Sequence, residues 1–160
     1  MDPQIKKETL RLLNYGLYVV TATDGDAVAA GSINWLSQAS FQPPLVMVAV
    51  KADSGLGAII KRSHAFAVNV LESGQKDVAS AFFRPTELKD SRLNGYTFEN
   101  GPKTGAPLLT DLPAWFEARV TDAIERGDHT VYVAEVVDAG MRDSETEPML
   151  LRDTGWAYGG

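Results

Sequence analysis

The chain has 160 residues, 44% of them hydrophobic, enough for one domain that buries roughly 70% of its unfolded surface. It contains no cysteine, which excludes disulfides, cysteine-ligated metal centres and thiol chemistry, so any redox activity must come from a bound cofactor. The net charge of −6 argues against a nucleic-acid binder, because phosphate contacts need clustered Lys and Arg.

The start, MDPQIKKETLRLLNYG, lacks the basic residues and apolar core of a signal peptide, and no apolar run reaches the length of a membrane span, so a cytoplasmic protein is expected. Asp2 as N-cap and Pro3 at the first helical position open a short helix over Pro3 to Asn14 with an irregular apolar face at Ile5, Leu10, Leu12 and Leu13. Leu17 to Thr23 reads as a strand, Asp24-Gly25-Asp26 as a tight turn and Ala27 to Asn34 as the returning strand. That returning strand is built from Ala, Gly and Ser. A glycine inside a strand marks either close approach by a ligand or a bulge.

Pro43-Pro44 leads into Leu45 to Val50, an unbroken apolar run expected of a strand buried on both faces or closed into a barrel. Ser54 to Arg62 follows as a helix capped by Asp53 or Ser54, then Ala65 to Leu71 as a strand and Gln75 to Phe83 as a helix. Arg84 to Lys103 is polar and reads as an exposed excursion with a short strand at Tyr96 to Phe98. In Ala114 to Ile124, Trp115, Glu117, Arg119 and Thr121 alternate with Phe116, Ala118, Val120 and Asp122. The turn Glu125 to His129 joins this strand to Thr130 to Val137, and Met149 to Leu151 is expected as a last strand. An antiparallel barrel with peripheral helices, in a single domain over residues 1–160, fits this order best.

Three groups of residues are candidates for chemistry. Ser32, Asn34, Ser37, Gln38 and Ser40, with Trp35 among them, form either a polar loop after a strand or the lining for a heteroaromatic ring with carbonyl and imino edges. Lys51, Ser54 and Gly55 stand at a strand-to-helix junction, which is either a capped turn or a phosphate site offering backbone N–H groups and a positive charge. His129 enters a strand beside Asp128, whereas His64 reads as a loop residue; the two histidines give no metal-site spacing.

The segments GLYVVTA, GSINWLSQASFQPPLVMVAV, FAVNVL, GAPLL and GDHTVYVAEVV, in this order, resemble the flavin reductase-like family of FMN-binding split barrels from about Leu10 to Gly140. They are similar in particular to the flavin reductase module of flavodiiron proteins and to flavoredoxin-type proteins. The resemblance implies a mainly β fold, an antiparallel six-stranded Greek-key split β-barrel with two to four short helices, and a homodimer. It implies FMN in preference to FAD, with Ser32, Asn34, Trp35, Ser37 and Gln38 along the ring and ribityl chain and Lys51, Ser54 and Gly55 at the phosphate. His129 is then the candidate catalytic residue, on the nicotinamide side, with NAD(P)H as hydride donor and a flavin, metal or protein as electron acceptor. Two alternatives remain at this level: an FMN electron carrier for a partner protein with little NAD(P)H turnover, and a split-barrel domain without redox activity. Trp156 and Tyr158 read as a frayed terminus or, in a dimer, as cover for the neighbouring subunit's flavin.

Overall fold

Asp2 starts the regular structure: its carboxylate accepts from the Gln4 and Ile5 N–H groups at 2.8 and 3.0 Å. In the computed structural model, which describes residues 1–160, the resulting helix α1 spans Pro3–Leu10. It ends short of Asn14 because Arg11 already caps it, and it buries no side chain.

The expected hairpin follows as β1 (Tyr18–Asp24) and β2 (Ala27–Ile33), with Asp24 paired to Ala27 and Gly25 at φ 60° in the turn. Next come β3 (Leu36–Ser40), β4 (Leu45–Lys51), α2 (Gly55–Ser63), β5 (Ala65–Val70) and α3 (Lys76–Ala81). Four short strands, β6 (Leu88–Lys89), β7 (Arg92–Leu93), β8 (Tyr96–Asn100) and β9 (Pro107–Leu109), precede the long hairpin β10 (Ala114–Glu125) and β11 (His129–Met141). The chain is thus mainly β and antiparallel, with three helices. None of them is long and apolar enough to cross a membrane.

The main sheet runs β2-β1-β5-β10-β11-β4-β3. It has seven strands where six were expected, and its hydrogen-bonded order ends at β2 and β3 without closing. The unforeseen strand is β3, whose sequence LSQAS has no apolar alternation because it is an edge strand with Ser37, Gln38 and Ala39 exposed. β4 also differs from expectation. Val46, Val48 and Val50 are buried while Met47 is 44% exposed, so the apolar run covers one face only.

Beneath α2, Val20, Val48, Ile60, Phe66 and Val68 form one core cluster. A second gathers Leu17, Val19, Leu71, Phe82, Leu93 and Leu109. Leu93 is fully buried, so the polar excursion is anchored rather than free, and β6 to β9 make a small sheet of their own. Asn94 secures it by accepting from Glu87 N–H at 2.7 Å and donating to the Ala81 carbonyl at 2.8 Å. No last strand forms at Met149 to Leu151. Leu150 makes an isolated bridge to Gly16, and Leu151–Thr154 is a 3-10 turn.

The alternation expected in β10 breaks at a register shift between Glu117 and Ala118, which buries both side chains. The Glu117 carboxylate then accepts from Thr104 N–H at 2.7 Å, Thr104 Oγ1 at 2.6 Å and Lys103 N–H at 3.2 Å. A Cβ on Gly101 would stand 2.2 Å from Glu117 Oε1, so the loop closes this tightly only with glycine. Glu117→Ala strands these donors in the interior. It should lower stability by about 2–3 kcal/mol, read from urea unfolding.

Candidate functional site

The small side chains of β2 do not fill the space beside the sheet, and a groove of about 1220 Å³ opens there. Its second wall is one face of α2, where Ser54, Ala58 and Arg62 recur at helical spacing. Phe82 to Thr86, after α3, and the tail Gly155 to Tyr158 complete it.

Of the residues expected along a ring, Ser32 and Asn34 line this groove. Ser32 Oγ already donates to the Ala79 carbonyl at 2.7 Å, leaving it only as an acceptor. Asn34 is 5% exposed, and its Nδ2 has no hydrogen-bond partner. Trp35 stands outside the groove lining and packs behind His129, with ring centroids 4.6 Å apart. Ser37 and Gln38 are exposed on β3, away from the groove.

Lys51, Ser54 and Gly55 do come together at one end. Ser54, not Asp53, caps α2: its Oγ accepts from Gly57 N–H at 3.0 Å and donates to the Lys51 carbonyl at 2.7 Å. The hydroxyl is therefore spent within the protein, and the anion-binding capacity of this end lies in the first helical N–H groups and in Lys51. Lys51 Nζ is 3.2 Å from Asp53. Gly57 is required here, since a Cβ would meet the Lys51 carbonyl at 2.8 Å.

His129 pairs with Lys51 across β11 and β4, which places its ring at the same end. Its Nδ1 is 2.8 Å from Asp128 Oδ1 and its Nε2 2.8 Å from Tyr158 Oη. The hydrogen bond and charge of His129 hold the Asp128 carboxyl below its ordinary value, while burial pushes the Tyr158 phenol up. The tail is not frayed. Tyr158 packs edge-on to Trp35 at 5.4 Å, and Trp156 lies between Phe83 at 4.9 Å and Lys76 Nζ at 4.7 Å. It covers the groove of its own chain. Sequence reasoning also missed Arg62 and Arg84 at the groove; the paired aromatics between tail glycines were the available signal for the tail, whereas nothing local marked the arginines.

The family model described as flavin reductase like domain matches residues 10–159. The chain belongs to the flavin reductase-like family. It is 36% identical over 135 residues to an NADPH-flavin oxidoreductase of Streptomyces viridifaciens, covering 83% of this chain and 70% of that protein. It is 30% identical over 146 residues to diflavin flavoprotein A 1 of Synechocystis sp. strain PCC 6803, covering 91% of this chain and 25% of that one. The solved structure of the Streptomyces globisporus NADH:FAD oxidoreductase SgcE6 superposes with a TM-score of 0.77 at 29% identity, over 88% of this chain and 79% of that chain. The chain spans about half, or less, of the length of several curated relatives it matches.

For a flavin reductase-like domain the group to accommodate is a flavin, and the groove residues fit one. Asn34 lines the groove and its buried Nδ2 has no partner; a turn of the side chain toward the groove would bring that donor to a ring carbonyl. The α2 N-terminus and Lys51 suit a phosphate. The Asp128–His129 contact has a separate consequence for pH. Because the folded-state value of Asp128 is lowered, its contribution is complete above the ordinary 3.8 and is lost as pH falls through the folded value. Asp128→Asn should therefore flatten the acid limb of a stability–pH curve measured by urea midpoint, with the wild type losing stability more steeply.

Proposed function

We propose that this protein is a cytoplasmic NAD(P)H-dependent flavin reductase that delivers reduced flavin, or its electrons, to a flavin, metal or protein acceptor. The observation that carries this reading is the buried, unpartnered Asn34 amide in a groove that ends at a helix N-terminus and at His129. A flavin bound there supplies the hydride-accepting chemistry, and the protein supplies binding, orientation and exclusion of water. Asn34 donates to a ring carbonyl; Ser32 accepts from an imino or ribityl hydroxyl group. Lys51 and the N–H groups at Gly55 hold the phosphate, with Ser54 shaping the turn. His129 sits at the donor side. The names of relatives point both to NADH and to NADPH, and one names FAD, so the reading is for a flavin, with FMN expected from the family resemblance.

A second reading is favoured by the tail. Trp156 and Tyr158 stand over the groove, as they would in a carrier that keeps its flavin and exchanges electrons with a partner while turning over little NAD(P)H. Anaerobic mixing with NADH and NADPH separates the two: bleaching of the flavin absorbance within seconds supports the reductase, and an unchanged spectrum with both nucleotides supports the carrier. Flavin released on denaturation and identified by chromatography decides FMN against FAD. Asn34→Ala should weaken flavin binding by about tenfold, the effect of one buried hydrogen bond, in a fluorescence titration. Equal affinity in the two proteins overturns the placement of the ring.

The reading includes a homodimer. The edge strand β3 presents unpaired backbone with no charged residue, next to Phe41 at 92% exposure and Met47 at 44%. A second copy on this face would also account for Ser37 and Gln38, which do not line the groove of their own chain. Light scattering should give twice the mass of the chain, and Phe41→Lys should shift the protein toward monomer.

A further inference from the structure

His129 offers a ligand little to bind. Its side chain is 12% exposed, both ring nitrogens are within 2.8 Å of protein partners, and one ring contact is taken by Trp35. Tyr158 is 47% exposed and lines the groove. A phenol oxygen has one donor and two acceptor sites, so it retains hydrogen-bonding capacity after serving an imidazole. The tail that carries it is fixed at several points: Trp156 between Phe83 and Lys76, and Gly159 through a hydrogen bond from Arg11 Nε at 3.3 Å.

We infer that the group meeting the ligand at this end of the groove is the Tyr158 hydroxyl, and that His129 and Asp128 are positioning residues acting through it. The chemistry it takes is a ring-bound amide N–H, either the carboxamide of a nicotinamide or the imide N–H of a flavin, which donates to a phenol lone pair. With the Asp128 carboxylate accepting from Nδ1–H, the neutral imidazole keeps its lone pair on Nε2 and accepts the phenol proton in a hydrogen bond. Burial keeps the phenol protonated, so its hydrogen stays directed at Nε2 and its oxygen accepts from the ligand.

This inference rests on the reductase reading, and the experiment separates the two. The chain has two histidines, so ¹⁵N-imidazole spectra of the ligand-free protein contain two ring systems, the exposed His64 serving as internal control. Neutral His129 should be the Nδ1–H tautomer, and Y158F should shift its Nε2 signal while leaving His64 unchanged, which also shows that the variant is folded. In steady-state kinetics Y158F should lose about tenfold in kcat/KM, the effect of one hydrogen bond. Adding H129Q to Y158F should cost less than about twofold more, because the two residues act as one chain. A raised KM for NAD(P)H with unchanged flavin affinity assigns the N–H to the nicotinamide carboxamide; weaker flavin binding with unchanged KM assigns it to the flavin imide. An Nε2–H tautomer in the wild type, or Y158F with wild-type kcat/KM beside an impaired H129Q, overturns the inference. Wild-type protein that reduces no flavin overturns the reductase reading instead; weaker flavin binding by Y158F then supports the inference and equal binding overturns it.

Discussion

The groove exists because the stretch Ala29 to Ser32 of β2 has no large side chain. Protein interiors are close-packed, and a strand of Ala, Gly and Ser beside a helix would ordinarily draw that helix inward until the space closed. Here α2 is held by its own anchors: Ile59 and Ile60 sit in the core cluster, while Ser54 and Gly57 lock its start against the Lys51 carbonyl. Leu56 of α2 already lies within van der Waals reach of Gly31, and the volume beyond that contact persists as the groove. Such a site leaves stability unrealised in the empty protein, and a ligand that fills it recovers that stability through binding.

The two chemical ends of the site are joined by strand register. His129 lies opposite Lys51, and the Asp128 carbonyl accepts from Ala52 N–H at 2.9 Å, so the histidine and the α2 N-terminus are brought together by one β-ladder. A slip by one residue would send His129 to the other face of the sheet. The buried Thr130, Tyr132 and Ala134 on the same strand oppose that slip, because it would expose all three. Core packing therefore fixes the geometry of the site without contributing a polar group to it.

Buried polar side chains organise the side of the molecule away from the groove. Asn69 accepts from Leu109 N–H at 2.7 Å and donates to the Val19 carbonyl at 3.2 Å, tying β9 to the centre of the main sheet. Thr21 donates to the Pro107 carbonyl at 2.6 Å. Together with Glu117 under the loop before β9, they turn a polar excursion into a second layer. Each would be costly if unsatisfied, so they specify this arrangement as well as stabilise it.

Local chemistry along the chain specifies the Asp2-Pro3 helix start, the Asp-Gly hairpin and the apolar strands, and it marks the family and the candidate groups at Asn34, Lys51 to Gly55 and His129. Their pattern is written in neighbouring residues, through caps, turns and periodicity. The tertiary structure alone decided the rest. β3 is a strand because β4 offers it a partner; nothing in LSQAS demands one. Glu117 is buried because a register shift turns it inward against a loop remote in the chain. Ser37 and Gln38 stand outside the groove that Ser32 and Asn34 share, and Tyr158 joins His129 from the far end of the sequence. These are contacts between residues widely separated along the chain, and they follow from where the sheet and helices place the backbone.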